Sequence, residues 1–267
     1  MNVDELYELI DNLEEVEEPK RKSINDAEKL ILSELDTKLL LKKNFYQHYI
    51  LDVVISKGSL EFIKSIFGHV PKLPNRNEFY ETLIYSNDAE ERIIDVLNIF
   101  EELGFFIKAE KYSLMIKKMG NACKQYRNCY DLCFVTIKYL LSKGGEIDFT
   151  GKSNKDSSLL MEVSSYGDAR SVCHLIKLGA DPKKKLADGS TALTFAAGKQ
   201  LPDLTTYNFN YSGRLEVMYF LNNSIDVPYE KETVKKALYF AKKLRNMLKE
   251  YDSYFDNDMV ERLSKKT

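Results

Sequence analysis

The chain has 267 residues, of which 44% are hydrophobic and 30% charged, which is enough apolar material for a sizeable core beneath a charged surface. Its 39 basic and 41 acidic side chains leave a formal net charge of −2, with lysines scattered rather than striped, which argues against nucleic acid as a partner. Nowhere do roughly eighteen apolar residues run together without a charge, so an ordinary membrane span is excluded.

The opening, Met1 to Glu18, is acidic and lacks the basic-then-apolar pattern of a secretory leader. The expectation is therefore a chain kept in the cytoplasm. Two amphipathic helical stretches, Val3–Glu17 and Ser23–Lys43, are split by Glu18-Pro19-Lys20. In the second, Ile24, Ala27, Ile31, Leu35 and Leu39 recur three or four residues apart, the spacing of one apolar helix face. Residues 1–43 thus read as a helical cap. The acidic run Asp4 to Glu18 has two readings: a surface for a basic partner, or the solvated side of a helix.

Next, the run Tyr49 to Phe67 fits both helices of one helix pair. Val96–Leu103 before Gly104, and Val135–Ser142 before Gly144, read as second helices of two further pairs. Between them Asn121 to Tyr130 reads as an insertion that carries Tyr126, Arg127 and Tyr130. Ser157 to Asp181 supplies both helices of a fourth pair. Thr191 to Ala197 and Gly213 to Leu221 supply a fifth, separated by a second insertion, Gln200 to Ser212, with Tyr207, Phe209 and Tyr211. The close, Glu232 to Tyr251, places Val234, Ala237, Leu238, Ala241, Leu244 and Leu248 on one side, as a terminal cap requires.

The fourth and fifth pairs repeat in register. Thr191-Ala192-Leu193-Thr194 aligns with Ser158-Leu159-Leu160-Met161 at an offset of 33 residues. Ser158 and Thr191 stand where a hydroxyl can cap a helix N-terminus. Lys177-Leu178-Gly179-Ala180-Asp181 closes the second helix at a glycine suited to the left-handed position. These segments resemble ankyrin repeats. The family's Thr-Pro-Leu-His is nowhere complete; Tyr49-Ile50-Leu51-Asp52 is a third variant of it.

The resemblance implies an all-α ankyrin-repeat solenoid of about five helix-turn-helix units over residues 44–228, with helical caps at 1–43 and 229–267. A non-ankyrin helical repeat stays open for residues 1–150. Ankyrin proteins bind through hairpin fingers and the first helices. Carried over by position, this implies partner contacts at Lys155, Ser157, Ser165 and Tyr166, and at Ala187, Asp188, Ser190 and Lys199. In the insertions, Tyr and Arg are the residue types most often found as interface anchors. Tyr207, Phe209 and Tyr211 could equally fold back over the repeat core.

An enzyme is not expected. The three histidines, His48, His69 and His174, accompany no nucleophile elbow, phosphate loop or zinc-binding helix. Cys129 and Cys133 lack two further ligands for structural zinc, so Cys123, Cys129, Cys133 and Cys173 are expected as free thiols. No cofactor or metal is implied. The expected partner is another protein and the free chain a monomer. Small leaderless ankyrin proteins resemble immunity proteins that neutralise bacterial toxins by occlusion. The alternative is a secreted effector serving as an adaptor on a host protein, in the host-cell cytosol.

Overall fold

The computed structural model describes residues 2–13, 24–45, 49–74, 79, 82–83, 90–106, 109–123, 130–151, 157–199, 211–223 and 229–249. Among these the chain is all-α, with one isolated antiparallel bridge, Lys43 to Tyr49, and no strand. None of the described helices is long and apolar enough to cross a membrane. Contacts divide the chain into two compact units, Met1–Gly145 and Glu146–Thr267.

In the first unit, α1 (Val3–Asp11) and α2 (Asp26–Ser33) both begin in reciprocal caps. The Asn2 side chain accepts the amides of Asp4 and Glu5, while Glu5 accepts the Asn2 amide. Asn25 and Glu28 do the same. Each cap satisfies amides that no intrahelical carbonyl can reach. The helices are shorter than their sequence pattern implies. After α2 the chain makes a 3-10 turn, Thr37–Leu39, because Asp36 uses its carboxylate to cap the Lys38 amide instead of continuing the helix.

The expected apolar face of α2 is also corrected. Ile31 and Leu39 are buried, but Ala27 is exposed and Glu28 is fully buried. Glu28 turns inward because it holds the start of α4 (Leu60–Phe67). Its two oxygens accept the Ser59 amide at 2.7 Å and the Ser59 hydroxyl at 2.9 Å.

α3 (Ile50–Lys57) and α4 form the expected tight pair. Gly58 makes the turn, where an added Cβ would sit 2.7 Å from both the Val54 carbonyl and the Phe62 ring. α4 packs on α5 (Glu90–Glu102), and α5 packs on α7 (Tyr130–Ser142), which pairs with α6 (Ala109–Cys123). Phe67, Phe79, Phe100 and Phe105 join α4 to α5, with the Phe67 and Phe100 ring centroids 4.9 Å apart. Glu101 ties three helices together by accepting from Tyr112 of α6 at 3.0 Å and from Lys143, just past α7, at 2.6 Å. The Lys143 ammonium holds the Glu101 carboxyl below its ordinary range.

In the second unit, α8 (Leu159–Tyr166) turns into α9 (Ala169–Lys177) through Gly167 at φ 75°. α10 (Ala192–Ala196) packs on α8, α11 (Tyr211–Asn223) on α9, and α12 (Lys231–Lys249) on α10. In this unit α8, α10 and α12 therefore lie side by side, as do α9 and α11; in the first unit α4, α5 and α7 follow one another in the same way.

The ends of α5, α7 and α9 share one geometry. After α5, Gly104 and Phe105 donate to Glu101 and Phe100 carbonyls. After α7, Gly144 and Gly145 donate to Leu141 and Leu140. After α9, Gly179 and Ala180 donate to Ile176 and Leu175. The glycines lie at φ 79°, 91° and 98°, so all three ends are left-handed glycine caps closing a six-to-one hydrogen bond. Phe100, Leu140 and Leu175, the acceptors of that bond, are each at most 1% exposed.

Candidate interaction surface

The finger between α9 and α10 is the best-defined candidate surface. Its base is tied back by 33 residues, the Asp181 amide donating to Asp148 Oδ2 at 2.9 Å. Lys184 Nζ also donates to the Asp148 carbonyl at 2.5 Å. Burial pushes the Asp148 carboxyl up, and the Asp181 amide and Lys184 oppose this. The tip closes when the Leu186 amide donates to the Ser190 carbonyl and the Gly189 amide to the Leu186 carbonyl. Gly189 supplies φ 76° there.

The structure draws Asp188, Ser190 and Lys199 together. Lys199 Nζ lies 2.6 Å from Asp188 Oδ2, and the Ser190 amide donates to Asp188 Oδ1 at 3.0 Å. Burial would raise the Asp188 carboxyl, but these partners outweigh it and hold it at about 2. The Ser190 hydroxyl is buried without a hydrogen-bond partner, so the Lys199 ammonium and the Ser190 amide carry the depression. Lys236 of α12 donates to the Asp188 carbonyl and so fixes the finger to that helix. Ala187 and Asp188 are exposed and Lys199 is half-buried.

On α8 the candidates are less accessible. Ser157 is half-buried and donates to Glu162 at 2.7 Å. Ser165 is buried and donates to the Glu162 carbonyl. The burial of Ser165 and Ser190 takes both off the accessible surface. Tyr166 is half-buried, near Arg214.

The insertion between α6 and α7 is shorter than the sequence suggests. Asn121, Ala122 and Cys123 complete α6, and Tyr130 opens α7. Likewise Tyr211 opens α11 rather than closing a loop. Tyr126, Arg127, Lys155, Tyr207 and Phe209 lie outside the described residues, as do the side chains of Tyr130 and Tyr211. The free-thiol expectation fails at Cys133, which is disulfide-bonded, while Cys173 is free.

Two arginines escaped the sequence reading. Arg214 is 1% exposed, and its Nη1 reaches the Phe195 and Ala196 carbonyls at 3.4 and 3.5 Å, the open end of α10. Burial pushes its guanidinium down to about 10, against the pull of Tyr166. Arg92 does the same for α3, donating to the Gly58 carbonyl at 2.7 Å and to Ile55 at 3.3 Å. Burial lowers its pKa, and Asp95 and Glu28 oppose that. The available signal was a lone arginine preceding an apolar helical stripe: Arg92 before Ile93 and Val96, Arg214 before Val217 and Met218.

Neither a protein-family model nor a curated protein matches this chain.

Proposed function

We propose that the helix pairs are divergent ankyrin units, about five of them between helical caps, and that the chain is a protein-binding module without catalysis of its own. The observation that carries this reading is the recurring left-handed end of α5, α7 and α9 on Phe100, Leu140 and Leu175, together with the 33-residue tie between Asp148 and Asp181. Thr194, standing where an ankyrin unit has His, accepts the Thr191 amide at 2.9 Å and donates to the Thr191 carbonyl at 2.8 Å. A polar tie thus persists inside the divergent motif.

The role proposed is that of a cytoplasmic immunity protein, monomeric when free, which occludes the active site of a bacterial toxin. Fold alone does not fix such a role. A finger locked by Asp188, Lys199 and Lys236 supports it, because a surface ordered before binding loses less entropy on association. Affinity purification of the tagged chain from its native cells, with identification of the bound protein, tests the reading. A toxin encoded beside this chain's own gene supports immunity, whereas a eukaryotic host protein replaces it with the adaptor role. Turnover of a small substrate by the isolated chain refutes both.

A further inference from the structure

We infer that the outward face of α12 docks an acidic segment of a partner protein, centred on Tyr239. This names the partner's chemistry and rests on the protein-binding reading. α12 packs on α10 and buries Thr233, Val234, Ala237 and Ala241. At 3.6 residues per turn, Lys231, Lys242, Lys235, Tyr239 and Lys243 follow one another around the other side within an arc of about 120°. All five are exposed, and Tyr239 keeps 63% of its surface. The acid on that arc, Glu232, reaches only Lys235, at 3.8 Å. Lys231, Lys242 and Lys243 have no hydrogen bond or ion pair among the described residues.

Lysines on a helix surface are ordinary. An aromatic ring at their centre is not, and this one is held edge-on by Phe240, with ring centroids 5.4 Å apart. Tyr is a favoured interface anchor, and a surrounding ring of cations selects and steers an acidic partner. Single-stranded nucleic acid fits less well, since stacking successive bases needs several aromatics and this face offers one.

The test uses the full chain and a fluorescent Glu-rich peptide bearing Leu, with fluorescence anisotropy read at low and high salt. An oligothymidine of equal length is the parallel probe. The peptide binds, and salt weakens it by screening. Tyr239→Ala loses roughly thirtyfold in affinity, the loss expected of an anchor. Reversing Lys235, Lys242 and Lys243 to Glu abolishes binding, while Lys177→Glu on α9 leaves it intact. Circular dichroism and melting temperature stay unchanged in every variant. The inference is overturned if the reversed variant binds equally, or if the oligothymidine binds as tightly. It is also overturned if the peptide binds only after residues 250–267 are removed, which would make the chain's own tail the occupant. A native partner that still binds the reversed variant sinks this surface and leaves the protein-binding reading standing.

Discussion

Arg92→Met removes a polar contact that the sequence did not reveal. The variant keeps the apolar stem but loses the hydrogen bonds to the Gly58 and Ile55 carbonyls, at 2.7 and 3.3 Å. Hydrogen bonds from a charged donor contribute about 2 kcal/mol at the shorter distance and about 1 at the longer, so the loss is about 3 kcal/mol. In a unit of this size each kcal/mol lowers the melting temperature by about 3 °C, which gives a fall of about 9 °C. Glu28, fully buried, also loses a nearby positive charge. A second substitution, Glu28→Gln, should therefore cost less in the Arg92→Met background than alone. Urea unfolding followed by circular dichroism measures all four corners of the cycle. A single-variant loss under about 0.5 kcal/mol, the range of an ordinary surface change, refutes the capping role.

The depressed Asp188 carboxyl makes the second unit acid-sensitive in a definite window. A carboxylate held at about 2 stabilises the fold above its unfolded pKa of about 3.8, and that contribution is lost as pH falls towards 2. Because the side chain is 51% exposed, screening limits the contribution to under about 1 kcal/mol. Stability curves of wild type and Asp188→Asn should converge between about pH 4 and 2; curves parallel through that window contradict the ion pair. At the end of α7, Gly144→Ala should cost about 1 kcal/mol for its positive φ alone. Gly145→Ala should cost about 2 or more, because its Cβ would lie 2.9 Å from the Leu140 carbonyl and 2.7 Å from Ile116; urea unfolding ranks the pair. Mass spectrometry after alkylation should find Cys173 labelled without reductant and Cys133 only after reduction.

Local chemistry explains what the sequence revealed. Ser158 and Thr191 precede apolar runs and open α8 and α10, while Gly104, Gly144 and Gly179 close α5, α7 and α9, so each of these boundaries is written within a few residues. Thr191 marks its helix start although its own hydroxyl makes no hydrogen bond; Thr194 supplies the cap. The hidden part is long-range. Glu28 reads as a solvated acid until Ser59, 31 residues away, draws it inward. Ser190 reads as a fingertip polar residue, yet the turn that exposes Asp188 buries it. Periodicity assigns a face to a helix; it cannot announce that a distant helix end needs a carboxylate or a guanidinium.

Once the co-purifying protein is identified, titrating its catalytic activity with this chain addresses the proposed role most directly. Occlusion of the active site requires activity to fall in proportion to added chain and vanish at one equivalent. Full activity in a complex shown to be saturated would contradict it.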